Sequence, residues 1–330
     1  MKKAIVTGLW SLALLGGLTL PAYAQELLVG GQAVGIQIST EGVLVAGFCP
    51  VETAAGSVCP AEDAGVKEGD LIIRAAGSPV PDANTLVEAV EKAEGSLSLG
   101  VRRGAQELNI AVTPAVGEDG QPMLGILLRD GLSGIGTLTF CDPESGIFGA
   151  LGHSVNDGRS GLTVPLREGS ITDAQIVSVR PGTSGKPGEL DGVADVGHVL
   201  GSIERNTDEG IFGTAFDSLG GRRLEVGVIT AGPASIVSTV EGHEAREYAV
   251  EVNRVYRDSG GTHAMLSVTD PVLLARTGGI VQGMSGSPII QDGRLVGAVT
   301  HVFVSDSARG YAVSIQDMLR AAGIIQAQAA

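Results

Sequence analysis

Basic and aromatic residues are scarce in this 330-residue chain, and only three cysteines are present. Lysine and arginine total 22 against 37 acidic residues, which gives a net charge of −15. This balance argues against nucleic acid as a partner, because binding phosphates needs clustered positive charge. None of the cysteines has C-x-x-C spacing, and no segment after residue 24 is long and apolar enough to span a membrane.

Glycine is abundant and aromatic residues are few: the chain has 50 glycines, and aromatic residues make up 3% of it. Hydrophobic residues account for 43% and charged residues for 18%, a balance typical of a folded globular protein. Glycines between short runs of Val, Ile and Leu indicate strands joined by tight turns rather than a helical bundle. The length predicts two domains of ordinary size.

The N-terminus has the pattern of an export signal. Lys2 and Lys3 precede an apolar stretch from Ala4 to Leu20, and Ala22-Tyr23-Ala24 forms a small-x-small cleavage pattern before Gln25. Residues 1–24 are predicted to be a signal peptide or, if uncleaved, a membrane anchor. Either alternative places the rest of the protein outside the cytoplasmic membrane, secreted or anchored.

Two of the cysteines, Cys49 and Cys59, flank a short insertion. An exported protein can keep a disulfide, so we expect these two residues to be bridged, with two free thiols as the alternative.

Residues 26–114 form the first predicted domain. A buried strand near 42–46 is followed by a short helical turn and a strand, then by a helix over 82–93 and a final hairpin. This order resembles an α+β bacterial PDZ domain, and the stretch Ala64-Gly65-Val66-x-x-Gly69-Asp70 is the most specific part of the match. The resemblance implies that a glycine-rich loop binds peptide tails by β-augmentation, and it assigns this role to Gly31, Val34, Gly35 and Ile36.

Residues 115–135 are predicted to be a linker, and residues 136–330 a second domain built mainly from strands. A clear hairpin is expected where Asp292-Gly293 separates two apolar runs, because this pair suits a two-residue type I′ turn. Only the end of the chain, from Ser314, is expected to be helical. The predicted fold class is therefore mostly β, with a PDZ domain followed by a chymotrypsin-like double β-barrel.

The strongest chemical signal is Gly283-Met284-Ser285-Gly286-Ser287-Pro288. A serine attacks a carbonyl only when a base takes its proton and donors stabilise the oxyanion, and Gly283 allows a turn that aims the N–H groups of Gly283 and Ser285 at one point. The segment resembles the nucleophile loop of chymotrypsin-like peptidases, whose register selects Ser285 over Ser287. An α/β-hydrolase elbow fits poorly, because a hairpin rather than a helix follows.

A histidine should act as the base. His153 ends an apolar run, as the catalytic histidine does in chymotrypsin-like folds. His198, His243 and His263 are interpreted as ordinary strand or turn residues. The strand after the nucleophile hairpin contains Thr300, His301 and Val302, and by analogy it lines the substrate cleft.

The third member of a triad would be an acid between the histidine and the serine in chain order. Order and spacing do not select one among the candidates, which are Asp157, Asp173, Asp191, Asp195, Asp208, Asp217, Asp258 and Asp270.

Longer segments are similar to the stage IV sporulation protein B peptidases. These segments are Phe148 to His153, Pro181 to Glu189, Gly210 to Gly213, and Gly278 through Tyr311. The resemblance implies that the catalytic His, Asp and Ser are His153, Asp270 and Ser285. The Cys49–Cys59 insertion departs from the family pattern.

The same resemblance implies a place in sporulation signalling. Such a protein would lie between forespore and mother cell and would cleave itself. It would also cleave a membrane-bound regulator of an intramembrane metallopeptidase, which then activates a late sigma factor.

The sequence thus predicts a serine endopeptidase that forms an acyl-enzyme and needs no metal or cofactor. Its predicted partners are protein substrates, itself included, and peptide tails at the PDZ domain. Two alternatives stay open: a non-catalytic PDZ scaffold and a general extracytoplasmic quality-control protease. An intact Ser, His and Asp set speaks against the first, and the PDZ domain preceding the protease speaks against the second.

Overall fold

The computed structural model describes residues 25–158, 161 and 163–326. The predicted signal peptide or anchor, residues 1–24, lies outside this range. Within the described residues, no helix is both long enough and apolar enough to cross a membrane.

The described chain is mostly β, as the sequence predicts. The strands are β1 Glu26–Val29, β2 Ala33–Phe48, β3 Val51–Thr53, β4 Gly56–Val58, β5 Leu71–Ala75, β6 Ser78–Pro79, β7 Leu97–Arg103, β8 Gln106–Val112, β9 Ala115–Val116, β10 Pro122–Met123, β11 Ile126–Cys141, β12 Ile147–Ala150, β13 Glu168–Arg180, β14 Glu189–Thr207, β15 Gly210–Ala215, β16 Arg223–Glu225, β17 Gly232–Ser238, β18 Arg246–Asp258, β19 Gly261–Val268, β20 Pro288–Gln291, β21 Arg294–Phe303 and β22 Asp306–Ser314. The helices are α1 Pro60–Asp63, α2 Ala83–Glu91, α3 Pro271–Thr277 and α4 Ile315–Ala321.

The last third of the chain forms a closed antiparallel barrel. Its strands follow the order β17-β18-β19-β22-β21-β20, and β17 pairs with β20 to close the ring. Alternate residues point inward and are fully buried, as Ile236, Leu266 and Val299 are. The predicted hairpin is confirmed: Asp292 and Gly293, between β20 and β21, have φ of 50° and 73°, as a type I′ turn requires.

A second ring precedes it. Strands β2, β13, β14, β15, β12 and β11 pair in succession, and the pairing of β11 with β2 closes the ring. Its interior holds Val34, Ile38, Phe148, Ile171 and Ile211, each with no exposed surface. Together the two rings confirm the predicted double β-barrel.

A small α+β module projects from the first barrel, and its fold is the predicted PDZ type. The far half of β2 pairs with β5, β5 with β7, and β7 with β8. Helix α2 buries Leu86 against this sheet, and the Asp82 side chain caps the helix by accepting from Thr85 N at 2.8 Å.

The boundaries between the modules differ from the prediction. The linker was expected at 115–135, but residues 126–135 are part of β11. The PDZ domain was expected to begin at residue 26, but residues 33–39 belong to a strand of the first barrel. β2 and β11 run side by side through both modules, so the PDZ module is inserted between two strands of the catalytic fold. Residues 40–43 form an irregularity within β2 opposite residue 130.

The predicted Cys49–Cys59 disulfide is absent, and both residues are free thiols. They flank the β3–β4 hairpin, but Cys59 turns away and donates its S–H to Gly125 O at 3.3 Å. The Cys49 backbone N–H donates to the same oxygen at 3.0 Å. The insertion is therefore fastened to the chain at Gly125 by hydrogen bonds.

A buried ion pair holds the end of β7 in the PDZ module. Arg103 Nε and one terminal nitrogen donate to Asp70 Oδ1 and Oδ2, each at 2.7 Å. The Asp70 side chain has no exposed surface, whereas that of Arg103 is 32% exposed. Removing the arginine would leave a buried carboxylate without its partner.

We therefore expect Arg103→Ala to lower the free energy of unfolding by about 3 kcal/mol. Arg74→Ala is the matched control, because the Arg74–Glu107 pair is exposed and should contribute less than about 1 kcal/mol. Urea unfolding of both variants, in a Ser285→Ala background that prevents cleavage, measures the difference. Equal losses would contradict a special role for the buried pair.

Candidate active site

The cleft between the two barrels contains the predicted nucleophile and base. Ser285 lies before β20 in the second barrel, and His153 lies after β12 in the first. Thr300, His301 and Val302, from β21, line the same cleft, where the sequence placed them.

The loop carrying Ser285 has a tightly constrained backbone. Gly283 and Gly286 have φ of 98° and 93°, a region that favours glycine. A Cβ on Gly286 would lie 2.2 Å from Thr137 O and 2.4 Å from Leu151 N, so no other residue fits there. Met284, between the glycines, has no exposed surface and anchors the loop in the barrel core.

Strand β11 of the first barrel holds this loop in place. Thr137 N donates to Ser285 O at 3.0 Å, and Thr137 Oγ1 donates to Gly283 O at 2.8 Å. Thr139 Oγ1 donates to Gly286 O at 2.7 Å. Sequence reasoning missed both threonines, because an alternating strand gives no sign of which loop its hydroxyls will bond.

The N–H groups predicted to form the oxyanion hole are available. Among the described residues, neither Gly283 N nor Ser285 N has a hydrogen-bond acceptor, while Met284 N between them donates to Val281 O at 3.1 Å. Unpaired N–H groups next to a nucleophile can stabilise an oxyanion. The oxyanion hole formed by these two groups stays a prediction, and their free N–H groups support it.

The Ser285 hydroxyl is held in a resting position. Its Oγ donates to the carbonyl oxygen of Thr300 at 2.6 Å, rather than to a histidine. Before it can transfer its proton to a base, the side chain must turn away from this carbonyl.

His153 is arranged as a neutral base. Its Nδ1 lies 2.7 Å from Ser154 O, and because a carbonyl only accepts, Nδ1 carries the proton and Nε2 keeps its lone pair. Burial, and then the neighbouring His301, lowers the pKa of His153 from 6.5 to about 4, although the Ser154 carbonyl acts in the opposite direction. The imidazole is therefore uncharged at neutral pH, as a general base must be.

Asp270 makes no hydrogen bond to this base. It is the N-cap of α3, where Oδ1 accepts from Val272 N at 2.9 Å and from Leu273 N at 3.0 Å. Ala249 N donates to its other oxygen at 3.3 Å, and no hydrogen bond joins Asp270 to His153. The contact with His153 that the family resemblance implies is therefore not formed in this structure, and the triad role of Asp270 stays a prediction. The Asp270-Pro271 pair, typical of a helix start, was the sequence signal for a cap.

The predicted PDZ loop is also misplaced. Gly31 N donates to Leu138 O at 2.8 Å, inside the first barrel. Val34, Gly35 and Ile36 pair with β11 on one edge and with β13 on the other, so no free edge is left for a peptide. The glycines allow close packing instead: a Cβ on Gly35 would lie 2.5 Å from the Ala194 side chain.

The PDZ module has a different groove, between α2 and the start of β11. Leu86, Val87 and Val90 line it from the helix, and residues 121–128 line it from the strand. At Ile126–Leu128, β11 pairs with β2 on one edge only. The sequence segment Met123-Leu124-Gly125-Ile126, an apolar–Gly–apolar loop before a strand, could have indicated this groove.

Two β-barrels with a serine nucleophile and a histidine base in the cleft between them define a serine peptidase of the chymotrypsin-like class. The model of the family described as SpoIVB peptidase S55 matches residues 120–319. The chain belongs to this family, which is the family that the sequence motifs indicated.

Curated relatives match over a short segment. Serine protease HTRA1 of Xenopus laevis is 47% identical over 55 residues, which are 17% of this chain and 12% of that protein. HTRA3 of Mus musculus is 40% identical over 57 residues, again 17% of this chain and 12% of the relative. The chain thus spans only 12% of the length of these relatives.

Solved structures show low overall similarity. The active form of the Rv3671c protease from M. tuberculosis is 14% identical, with a TM-score of 0.35 over 60% of this chain and 76% of that one. The PDZ domain of the SdrC-like protein from Listeria monocytogenes is 21% identical, with a TM-score of 0.23 over 28% and 93%. The strand pairings of the two rings and of the α+β module define the fold.

The capping role of Asp270 is tested by Asp270→Asn and Asp270→Ser. Asparagine and serine both cap helices well, so the structure predicts peptidase activity within a few-fold of wild type for both. An acid that orients the base would be different, because its replacement by asparagine lowers kcat about 10⁴-fold in a Ser-His-Asp triad. Asp270→Ala is the control and should lower the free energy of unfolding by about 1 kcal/mol. A loss of kcat near 10⁴-fold in the folded Asn and Ser variants would restore Asp270 to the triad.

Proposed function

We propose that this protein is an exported signalling endopeptidase that uses Ser285 and His153 to cut exposed peptide segments. The observation that carries the proposal is the joint placement of Ser285, His153 and the free N–H groups of Gly283 and Ser285 at one cleft. A non-catalytic scaffold would have no need of this arrangement.

The proposed reaction follows from these positions. Ser285 Oγ leaves the Thr300 carbonyl and attacks the scissile carbonyl carbon, while His153 Nε2 takes the hydroxyl proton. The N–H groups of Gly283 and Ser285 stabilise the oxyanion. His153 then gives the proton to the leaving amine, and a water molecule activated by the same nitrogen releases the acyl group.

The cleft favours uncharged substrate side chains. Its described lining contains no Asp, Glu, Lys or Arg, and Ile280, Val281, Val302 and Val304 give it an apolar wall. Placing a charged group against this wall without a partner would be unfavourable. We expect cleavage next to apolar residues rather than next to lysine or arginine.

The groove beside α2 is proposed to bind the peptide tails. The free edge of β11 at Ile126–Leu128 can add a peptide strand by main-chain hydrogen bonds, and Val87 and Leu127, each nearly half exposed, offer apolar contacts. This site replaces the loop at residues 31–36.

The biological setting is proposed from the family. Membership in the SpoIVB peptidase family supports a role in sporulation, with the chain itself and a membrane-bound regulator of an intramembrane metallopeptidase as substrates and a late sigma factor as the target of the signal. The apolar N-terminus supports export to the space between forespore and mother cell, in secreted or anchored form.

Self-cleavage is tested with purified residues 25–330, as wild type and as Ser285→Ala. Intact mass measured over hours should show defined cuts in wild type and none in the variant. Adding wild type to the intact Ser285→Ala protein should reproduce the same cuts. Identical cuts in both proteins alone would indicate Ser287 or a contaminant and would contradict the assignment of Ser285.

The peptide groove is tested in the same assay. Apolar C-terminal peptide tails should change the cleavage rate of wild type but not that of Val87→Glu, which places a charge in the groove on the exposed face of α2. If wild type and Val87→Glu are both folded but cleave neither themselves nor casein, with or without peptide tails, the result would favour the scaffold alternative. Indiscriminate cleavage of unfolded proteins would favour the quality-control protease.

A further inference from the structure

The connection between β13 and β14, residues 181–188, reaches from the first barrel to the catalytic cleft, which it lines with Pro187. Two segments of the second barrel form apolar sides of this cleft beside Ser285: residues 277–282, here named the nucleophile wall, and residues 302–307, named the hairpin wall. The side chain that precedes the scissile bond lies next to the nucleophile, so these two walls bound its pocket.

The connection is bonded to the nucleophile wall at both ends. Gly182 N donates to Thr277 O at 2.9 Å, and Gln282 N donates to Gly188 O at 2.8 Å. Leu190 N, in β14, donates to Gln282 O at 2.8 Å. The first barrel therefore holds this wall along its whole length.

The same connection is bonded to the hairpin wall. Gly185 N donates to Val304 O at 2.8 Å, and Ser184 Oγ donates to Ser305 O at 3.0 Å. Neither wall contains a cysteine, so no disulfide can join them. Residues 181–188 thus link the two walls by hydrogen bonds.

The two walls meet behind the cleft. Ile280 N donates to Ser307 O at 2.7 Å, and Ser307 Oγ donates to Gly278 O at 2.7 Å. A Cβ on Gly279 would lie only 2.0 Å from Ser307 O. On the nucleophile wall the cleft lining ends at Ile280, so the pocket is closed at its inner end and is short.

We propose that residues 181–188 are a specificity-determining clamp. By bonding to both walls, the clamp keeps them close together, so that the pocket beside Ser285 accepts short apolar side chains such as alanine or valine and rejects aromatic ones. The inference rests on the proposed endopeptidase function and names the substrate class of its cleft.

The clamp acts on the choice of substrate rather than on the reactivity of the serine. Among the described residues, no hydrogen bond joins the clamp to Ser285 or His153. One methylene more or less in an apolar pocket changes kcat/KM about 10- to 200-fold. Discrimination of this size needs walls that do not yield, because overpacking is costly only where the surroundings cannot move.

The test uses peptide diphenyl phosphonates that differ only in the side chain before the reactive group, valine or phenylalanine. Ser285 Oγ attacks the phosphorus of either probe, and phenol leaves. Wild type should react at least about 10-fold faster with the valine probe than with the phenylalanine probe.

Two variants loosen the clamp to different degrees. Gly188→Ala should displace it, because the added Cβ would lie 2.4 Å from Gly182 N and 2.6 Å from Val281 Cγ1, and the ratio of the valine to the phenylalanine rate constant should fall about 10-fold. Ser184→Ala removes the hydrogen bond to Ser305 O, so the same ratio should fall a few-fold.

A small fluorophosphonate probe, which does not fill the pocket, reports on the serine alone. Its labelling rate should stay within a few-fold of wild type in both variants. Ser178→Ala is the matched control, because it removes an exposed hydroxyl that bonds to Asp191 Oδ2 at 2.8 Å instead of to a wall, and it should keep the wild-type ratio. Melting temperatures identify folded variants, and the exposed Ser184 allows Ser184→Ala to decide if Gly188→Ala does not fold.

Three results would overturn the inference while leaving the peptidase intact. One is a valine-to-phenylalanine ratio that is unchanged in the folded clamp variants. Another is a wild type that does not discriminate between the probes or prefers phenylalanine. The third is a loss of fluorophosphonate labelling as large as the loss of the valine-probe rate, which would show that the loop supports the whole site. No labelling of wild type above Ser285→Ala would contradict the proposed function itself, and the inference with it.

Discussion

The pairing of β11 with β2 is the constraint on which the rest of the structure depends. β11 begins at Ile126 beside helix α2 in the PDZ module and continues without a break into the first barrel. At Thr137, roughly 36 Å further along an extended chain, its backbone and hydroxyl bond to the nucleophile loop. This one strand therefore borders the groove beside α2, closes a barrel and holds the catalytic loop. The PDZ module is better described as an insertion in the first barrel than as a separate domain on a linker.

Among the described residues, the lining of the catalytic cleft contains no Asp, Glu, Lys or Arg. The nucleophile rests on the Thr300 carbonyl, the base rests on the Ser154 carbonyl, and a second imidazole covers the base. In a Ser-His-Asp triad a buried carboxylate stabilises the imidazolium that forms during the reaction. Here burial disfavours that imidazolium, so the base is available over a wider range of acidic pH but is a weaker proton acceptor.

Local sequence patterns predicted a large part of this arrangement, and the exceptions have physical causes. The Gly-x-Ser-Gly segment and the Asp-Gly hairpin were recognisable, because glycine positions and turn types are set by neighbouring residues. The partner of His153 was not recognisable, because it depends on how two barrels meet. Asp270 shows the difference: only the family resemblance implied a triad role for it, whereas the proline after it predicts a helix start, and in the structure it caps α3. Residues 31–36 also fit the local pattern of a peptide-binding loop. The structure shows that Val34 to Ile36 pair with a strand on each edge, which a local pattern does not reveal.

The central claim is that His153 is a half-buried, neutral base whose Nδ1 proton is held by the Ser154 carbonyl. Its most direct test is an NMR titration of the His153 ring in the Ser285→Ala protein, with the signals assigned by comparison with His153→Gln. The account predicts a midpoint at about pH 4 and a proton on Nδ1 throughout the neutral range. A midpoint at or above the ordinary value of about 6.5 would contradict it, because the ring would then be solvated or lie beside a negative charge.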